Sequence, residues 1–309
     1  MKNKSVFLIA IAAASVYLAV NKGIFSNDKK VDGVDFKAKT KEEVRTDDPA
    51  KTIRVSISAM ISPKKTRVYY EDLLSLIGKR LGREVIFIQR KTYSEINDLI
   101  EQREIDVAFV CAGPYVAGHK KFGMELLVLP VSNGKKVYHS YILTHINSPI
   151  NSFDELKGKK FAFTDSHSNS GCLVPKYMLA KRNETPESFF SETFYSYSHD
   201  NSIQAVAEGL ADGAAVDGLI WEFLNNMDPE YTSKTKIVKK SPPYGIPPVV
   251  VHPDTDPELK KQLLDLFLTL HETEEGKKII AELQIDRFET GDDSMYNSVR
   301  EMQEWLNNQ

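Results

Sequence analysis

EVIFIQRKTYSEINDLIEQREIDVAFV, residues 84–110, is the stretch whose reading decides the fold. Glu84–Ile88 is rich in β-branched and aromatic residues, as a strand is. Tyr93–Arg103 has helical spacing. Thr92 stands where an N-cap belongs, and Glu95 three positions on completes a capping-box pattern. Asp106–Val110 returns to strand character. Strands separated by helices of this length argue for a parallel α/β sheet. Upstream, Thr52–Ser58 alternates as a strand, and Val68–Leu81 reads as a helix stopped by Gly82. Downstream, Tyr115–Phe122 reads as a short helix and Glu125–Pro130 as a strand. Ligands of such sheets sit at the carboxyl ends of the strands.

A second unit of the same kind follows. Tyr138–Thr144, Lys160–Thr164 and Ala214–Asp217 read as strands. Ser152–Gly158, Leu173–Lys181 and Ser202–Leu210 read as helices. The proline-rich SPPYGIPP, residues 241–248, leads into Val249–Val251, and helices over 257–284 and 294–307 close the chain.

Composition narrows the function. The chain has 309 residues, 41% hydrophobic and 27% charged, with a net charge of −3. That allows two lobes with cores of their own and offers no basic surface for nucleic acid. Two cysteines are too few for a disulfide scaffold or a cysteine-rich zinc site. The histidines show no metal-binding spacing, and no phosphate-binding loop or dinucleotide fingerprint is present, so neither metal nor cofactor is expected. Ser170, His199 and Asp217 imitate a hydrolase triad in composition only, because SNSG is not the G-x-S-x-G elbow. An enzyme is therefore not expected.

Lys2 and Lys4 precede the uncharged, mostly apolar Val6–Val20, the pattern of an export signal. The run is short for a spanning helix, which needs about 20 residues. Residues 1–26 read as a signal or anchor, with cleavage and retention both open. Residues 27–51 are polar and charge-mixed and read as a flexible tether. The body is expected outside the cytoplasmic membrane, periplasmic or extracytoplasmic.

The loop Ser168–Gly171, between a strand and a helix, is the first candidate site. A helix start offers unpaired N–H groups and the positive end of its dipole, the hydroxyls add donors, and glycine allows close approach. A plain helix cap is the competing reading. Tyr93 opens a helix after a strand, where its hydroxyl can reach a cleft. The turn Ser58–Ser62 faces the same way, with backbone donors at Met60 and Ile61.

Four segments occur in an order that resembles one family: DVAFVCAGPYV (106–116), TDSHSNSGCLVPKYML (164–179), His199 with its downstream helix and AVD (215–217), and PPYGIPPVVV (242–251). They are similar to the periplasmic binding proteins for phosphonate, phosphite and related oxyanions. The resemblance implies a two-lobed type II fold, with lobe one at 52–138 plus 249–309 and lobe two at 139–248. It implies hinge closure on an oxyanion and delivery to an ABC permease. Some relatives of that family instead present ligand to a membrane histidine kinase, including arsenic-oxyanion sensors. By the same resemblance Ser168, Asn169, Ser170 and Gly171 hold the anion, with Asn169 where threonine is more usual. Tyr93, His199 and Asp217 face it, and the 111–115 loop with Cys111 and Tyr115 opposes it. For Cys111 and Cys172 three readings stay open: a disulfide across the cleft, a thiolate pair for trivalent arsenic, or two small apolar fillers.

Overall fold

The computed structural model describes residues 51–308. The leader at 1–26 and all of the tether except Lys51 lie outside the described residues. The strands are β1 (Thr52–Ile57), β2 (Glu84–Ile88), β3 (Val107–Phe109), β4 (Glu125–Val131), β5 (Val137–Tyr138), β6 (Ser140–His145), β7 (Lys160–Phe163), β8 (Glu192–Tyr195), β9 (Gly213–Asp217), β10 (Thr235–Lys240), β11 (Tyr244–Gly245), β12 (Val249–Val251) and β13 (Arg287–Glu289). One sheet has the order β13-β4-β12-β3-β1-β2 and the other β10-β6-β9-β7-β8.

Each sheet has the expected parallel core: β1 runs parallel to β2 and β3, and β7 to β8 and β9. Each also carries antiparallel strands that periodicity did not reveal. β12 runs against β3 and β4, β13 against β4, and β6 against both β9 and β10. The reason is topological. β6 and β12 arrive directly from segments that cross between the sheets, without the helical crossover that a parallel neighbour requires. The two crossing segments pair as a small ribbon of β5 and β11, with Tyr138 opposite Tyr244. Ser140 and Ser241 tie its end: Ser241 N–H donates to Ser140 C=O (3.0 Å) and Ser140 N–H to Ser241 Oγ (2.9 Å).

The helices that frame the site start earlier than their apolar pattern suggests. α1 (Pro63–Leu81) begins at Pro63, a residue pre-organised for a first helical position, and stops at Gly82 in the left-handed region. α2 (Tyr93–Glu101) has the full Thr92–Glu95 capping box. α3 (Ala112–Phe122) includes Ala112 and Gly113, which carry no apolar signal. In the second unit a wide π-helical turn, Asn169–Leu173, precedes α4 (Val174–Ala180). α5 (His199–Ala207) starts at His199 behind its cap Ser198, so His199 sits on a helix N-terminus rather than in a turn. α6 (Gly218–Met227) follows β9 directly. Ser152–Gly158 yields only a single 3-10 turn, Asp154–Leu156. The closing helices are α7 (Pro257–Thr269), α8 (Glu274–Glu282) and α9 (Asn297–Asn307). α9 touches both units: Trp305 meets Tyr177 of α4 edge to face at 5.2 Å, and Gln303 Nε2 donates to Gly113 C=O (3.3 Å). Among the described residues no helix is long and apolar enough to cross a membrane.

Candidate functional site

The end of β7 and the start of α4 form one wall of the site. Ser168 accepts the Gly171 N–H on its Oγ (3.0 Å), and its carbonyl takes both Cys172 N–H and Leu173 N–H (3.1 and 3.0 Å). The cap reading is therefore true of Ser168, and it frees its neighbours. The wide turn leaves the first N–H groups without intrahelical partners. Asn169 Nδ2 donates to Tyr138 Oη of the hinge ribbon (2.9 Å), and Ser140 Oγ donates to Ser170 C=O (2.6 Å). Both bonds hold the loop against the crossing segments. Among the described residues Ser170 Oγ and Asn169 Oδ1 are buried with no hydrogen-bond partner. Gly171 is required by space: a Cβ there would lie 2.5 Å from Thr164 Oγ1 and 3.1 Å from His199 Cε1.

His199 supplies the next donor. Its Nδ1 accepts Asp217 N–H (3.0 Å) and lies 3.0 Å from the Thr164 hydroxyl. Burial lowers its pKa from 6.5 to about 3, so the ring is neutral. A neutral imidazole that accepts at Nδ1 carries its proton on Nε2. That N–H is buried, and among the described residues it has no partner. The backbone of Asp217 thus sets the tautomer that makes His199 a donor.

Asp217 ends β9 and caps α6, accepting Leu219 N–H on Oδ1 (2.8 Å). Burial raises its carboxyl from 3.8 to about 7. The folded chain therefore holds a proton on Asp217 that the unfolded chain releases between about pH 4 and 7. For His199 the unfolded chain holds the extra proton, between about pH 6.5 and 3. On acidification Asp217 adds stability and His199 removes it, each at about 1.4 kcal/mol per pH unit, and the two slopes cancel between about pH 4 and 6.5. Asp217→Asn is expected to expose the His199 slope, with urea-unfolding stability falling steeply from pH 6.5 to 4. A variant profile parallel to that of the parent would overturn the assignment.

The opposite wall comes from the first unit. Tyr93 is fully buried at the start of α2, and its hydroxyl lies beside Ser168 and Cys111 without a geometrically sound hydrogen bond. Its backbone N–H donates to Asp165 Oδ2 across the cleft (3.1 Å). Burial pushes the Asp165 carboxyl up, but hydrogen bonds from the His167 side chain and from the N–H groups of His167 and Tyr93 hold it below the usual range. Cys111 Sγ lies 3.8 Å from Tyr138 Oη. Ser58 Oγ is a further buried hydroxyl without a partner among the described residues. Other bonds hold the units together: His199 N–H to Met60 C=O (2.9 Å), and Ser62 N–H and Oγ to the two Asp200 oxygens (2.8 and 2.6 Å). At the rim Lys91 Nζ stands 3.9 Å from the Tyr197 ring centroid. These contacts and the burial of every donor describe a closed cleft.

Several expectations are corrected. The Met60 backbone is committed to closure: its N–H bonds Ser58 C=O within the turn and its C=O accepts from His199. Ile61 packs its side chain into the second unit's core beside Tyr141 and Phe223, which bears on its side chain and not on the backbone donor expected there. Tyr115 donates its hydroxyl to Asp293 (2.7 Å) and packs on Tyr296 (ring centroids 4.6 Å apart), so it is bound to the chain's C-terminal end. Cys111 and Cys172 are both free thiols in separate packing clusters, Cys111 with Val107 and Phe109, Cys172 with Phe161 and Phe163. Burial raises both pKa values, against the reading of the two as a thiolate pair. Neither the disulfide nor a converging thiolate pair is formed. Sequence reasoning missed Asp165 and Asp200, and it placed the Ser58–Ser62 turn at the cleft for its backbone donors rather than for the Ser58 hydroxyl. Ser58 carried a signal, as a polar residue directly after a strand that leads into the cleft; Asp200 carried none. Among the described residues no cluster of acidic, histidine or cysteine side chains could hold a metal ion.

Tyr93, Ser170 and His199 are thus buried and uncharged, and among the described residues Tyr93 Oη, Ser170 Oγ and His199 Nε2 have no hydrogen-bond partner. The family model for the periplasmic substrate-binding protein of phosphonate ABC transporters matches residues 55–296. The phosphonates-binding periplasmic protein of Escherichia coli is 24% identical over 257 residues, 82% of this chain and 76% of that one. The phosphate-import protein PhnD of Mycolicibacterium smegmatis is 30% identical over 164 residues, covering 49% of this chain and 50% of its own. Among solved structures, a binding component of a phosphonate ABC transporter from Pseudomonas aeruginosa superimposes with a TM-score of 0.77 at 26% identity, over 82% of this chain and 85% of that one. PhnD1 of Prochlorococcus marinus, solved with methylphosphonate, shares the fold at a TM-score of 0.76 and 21% identity, over 84% and 99% of the two chains. The chain belongs to the family of periplasmic substrate-binding proteins of phosphonate ABC transporters.

Proposed function

We propose that this protein captures a phosphorus oxyanion of the phosphonate, phosphite or phosphate class by hinge closure and hands it to an ABC permease, without catalysing a reaction. One observation carries the reading: Tyr93 Oη, Ser170 Oγ and His199 Nε2–H are buried donors that find no partner among the described residues. A buried donor left unpaired costs about 1–3 kcal/mol, and a ligand that accepts from these three would remove that cost. Neutral donors and a helix start suit an oxyanion without a net positive site. Asp217, protonated in part near neutral pH, suits a ligand oxygen that exchanges one proton. The lobe boundaries at 52–138 plus 249–309 and 139–248 belong to this proposal. They are supported by strand membership in the two sheets.

The test is titration calorimetry of the full chain with methylphosphonate, phosphite and phosphate, with sulfate as control. Binding of at least one phosphorus oxyanion is expected. Ser170→Ala and Tyr93→Phe should each weaken it by roughly 10- to 100-fold, the cost of a hydrogen bond to a charged group. Unchanged affinity in both variants, or no heat with any of the three ligands, would sink the reading.

A further inference from the structure

The first helix of the first unit lacks N-terminal partners of its own. Ser62 holds the cap position of α1, but its side chain makes no bond to that helix. Pro63 brings no N–H, and the first turn carries Lys64 and Lys65 and no acidic residue. A helix start is the positive end of the dipole, so lysines there are unfavourable and an acid is favoured. The second unit supplies the acid. Asp200 of α5 accepts Ser62 N–H on Oδ1 (2.8 Å) and the Ser62 hydroxyl on Oδ2 (2.6 Å). Asp200 directly follows His199, whose N–H donates to Met60 C=O (2.9 Å). Two consecutive residues of α5 are thus bonded to the 60–62 turn, and Thr66 Oγ1 ties that turn to α1 by donating to Ile61 C=O (2.8 Å).

We infer that Asp200 is a positioning residue for ligand capture: on closure its carboxylate caps α1 across the cleft, and this cap fixes the first turn of α5, and with it the His199 ring, against the first unit. The inference rests on the proposed function above for its ligand and adds what holds the closed form. Donor and acceptor lie in different units, 138 residues apart in the chain, so the cap exists only when the units meet. It adds to the closed form and nothing to the open one. A ligand that binds His199 in the closed cleft therefore selects the arrangement in which Asp200 reaches Ser62. Neighbouring contacts across the same seam do not replace it. Lys65 stands 3.7 Å from Asp228, but the two side chains are 35% and 43% exposed and solvent screens them, whereas Asp200 is 7% exposed. Tyr69 meets Phe223 of α6 edge to face, with ring centroids 5.0 Å apart, and brings no hydrogen bond to either helix start.

The experiment is a double-mutant cycle on the full chain, with Asp200→Ala, Ser62→Ala and the two combined. It is read by calorimetry with methylphosphonate, phosphite and phosphate as probes, and by thermal unfolding without ligand. Asp200→Ala should weaken binding of the probes that the parent takes by roughly 10- to 100-fold, as expected for lost hydrogen bonds to a charged group. Stopped-flow mixing should place that loss in faster dissociation, because the cap forms after the ligand has entered. Ser62→Ala keeps its N–H and should cost less. In the Asp200→Ala background it should cost nothing further, since the partner is already gone. Asp200→Asn still pairs with the Ser62 N–H and hydroxyl and should recover part of the affinity. Without ligand the two substitutions should act independently on the melting midpoint. An acid that served only its own helix would lower that midpoint, show no coupling to Ser62 and leave dissociation unchanged. Parent-like affinity in Asp200→Ala, additive losses in the double variant, or equal coupling without ligand overturns this inference and spares the proposed function. Absence of binding of all three probes by the parent overturns both.

Discussion

Gly113→Ala is expected to weaken ligand capture by roughly 10- to 100-fold while leaving the unliganded protein as stable as before or slightly more so. Gly113 lies in the first turn of α3, and the closed cleft brings the loop of the second unit onto it. A Cβ at this position would stand 2.2 Å from the His167 carbonyl oxygen and 3.2 Å from the Asn169 nitrogen. Both are backbone atoms, so no side-chain rotation relieves the contact. Within α3 itself alanine is the better helix former, by up to about 1 kcal/mol. The substitution therefore favours the open arrangement and penalises the closed one. Overpacking of this kind costs about 1–3 kcal/mol, which is roughly 10- to 100-fold in affinity when capture requires closure. Calorimetry should show that loss, thermal unfolding without ligand should show no decrease, and small-angle scattering should show compaction only at ligand concentrations raised in the same proportion. Retained affinity together with ligand-induced compaction would mean that closure does not pass through this contact.

Gly171→Ala should fail in a different way. Its Cβ would meet Thr164 at 2.5 Å and His199 at 3.1 Å, both inside the same unit. Thr164 is buried, with its hydroxyl placed among His199, Ser202 and the Ala215 carbonyl (3.0, 3.2 and 3.2 Å). A β-branched side chain so held has little room to turn. The loop must shift, at a stability cost of about 1–3 kcal/mol, which lowers the midpoint by several degrees at about 2–4 °C per kcal/mol. The shift also moves His199 Nε2 and the Ser170 hydroxyl from the positions in which the proposed ligand would accept from them. Affinity should fall by about 100-fold or more, since two hydrogen bonds to a charged group are misplaced together. The pair of variants separates two roles of glycine: Gly113 should change binding alone, Gly171 binding and stability together. A Gly171→Ala protein with unaltered midpoint and affinity would refute the packing described for the loop.

Much of the architecture was legible because its signals are local. The capping box Thr92–Glu95, the stop at Gly82 and the strand–helix alternation of residues 84–110 depend on neighbours a few positions away, and all are present in the structure. The starts of α1 and α3 were not legible, because their first residues face the other unit or solvent and carry no apolar period. The antiparallel strands were missed because strand direction depends on which segments cross between sheets. Of the candidate site, Ser168–Gly171 and His199 stand together with Tyr93 around the cleft. Tyr115 and Cys172 have the right residue types near the right motifs, but Asp293 claims the first and an aromatic cluster the second.

The sequence by itself determined the fold class, the family resemblance and the loop at a helix start, because periodicity, turn chemistry and ordered motifs are properties of short stretches. Tertiary structure decided which polar groups remain free to hold a ligand. Ser168 is taken by its own turn while Ser170 is not. His199 is a neutral donor because Asp217, far from it in the chain, fixes its proton on Nε2. Asp217 is driven toward its neutral form by burial, and two cysteines that lie on one motif map never meet. Each of these outcomes depends on partners distant in sequence and on exclusion of water, and both exist only once the lobes have folded and closed.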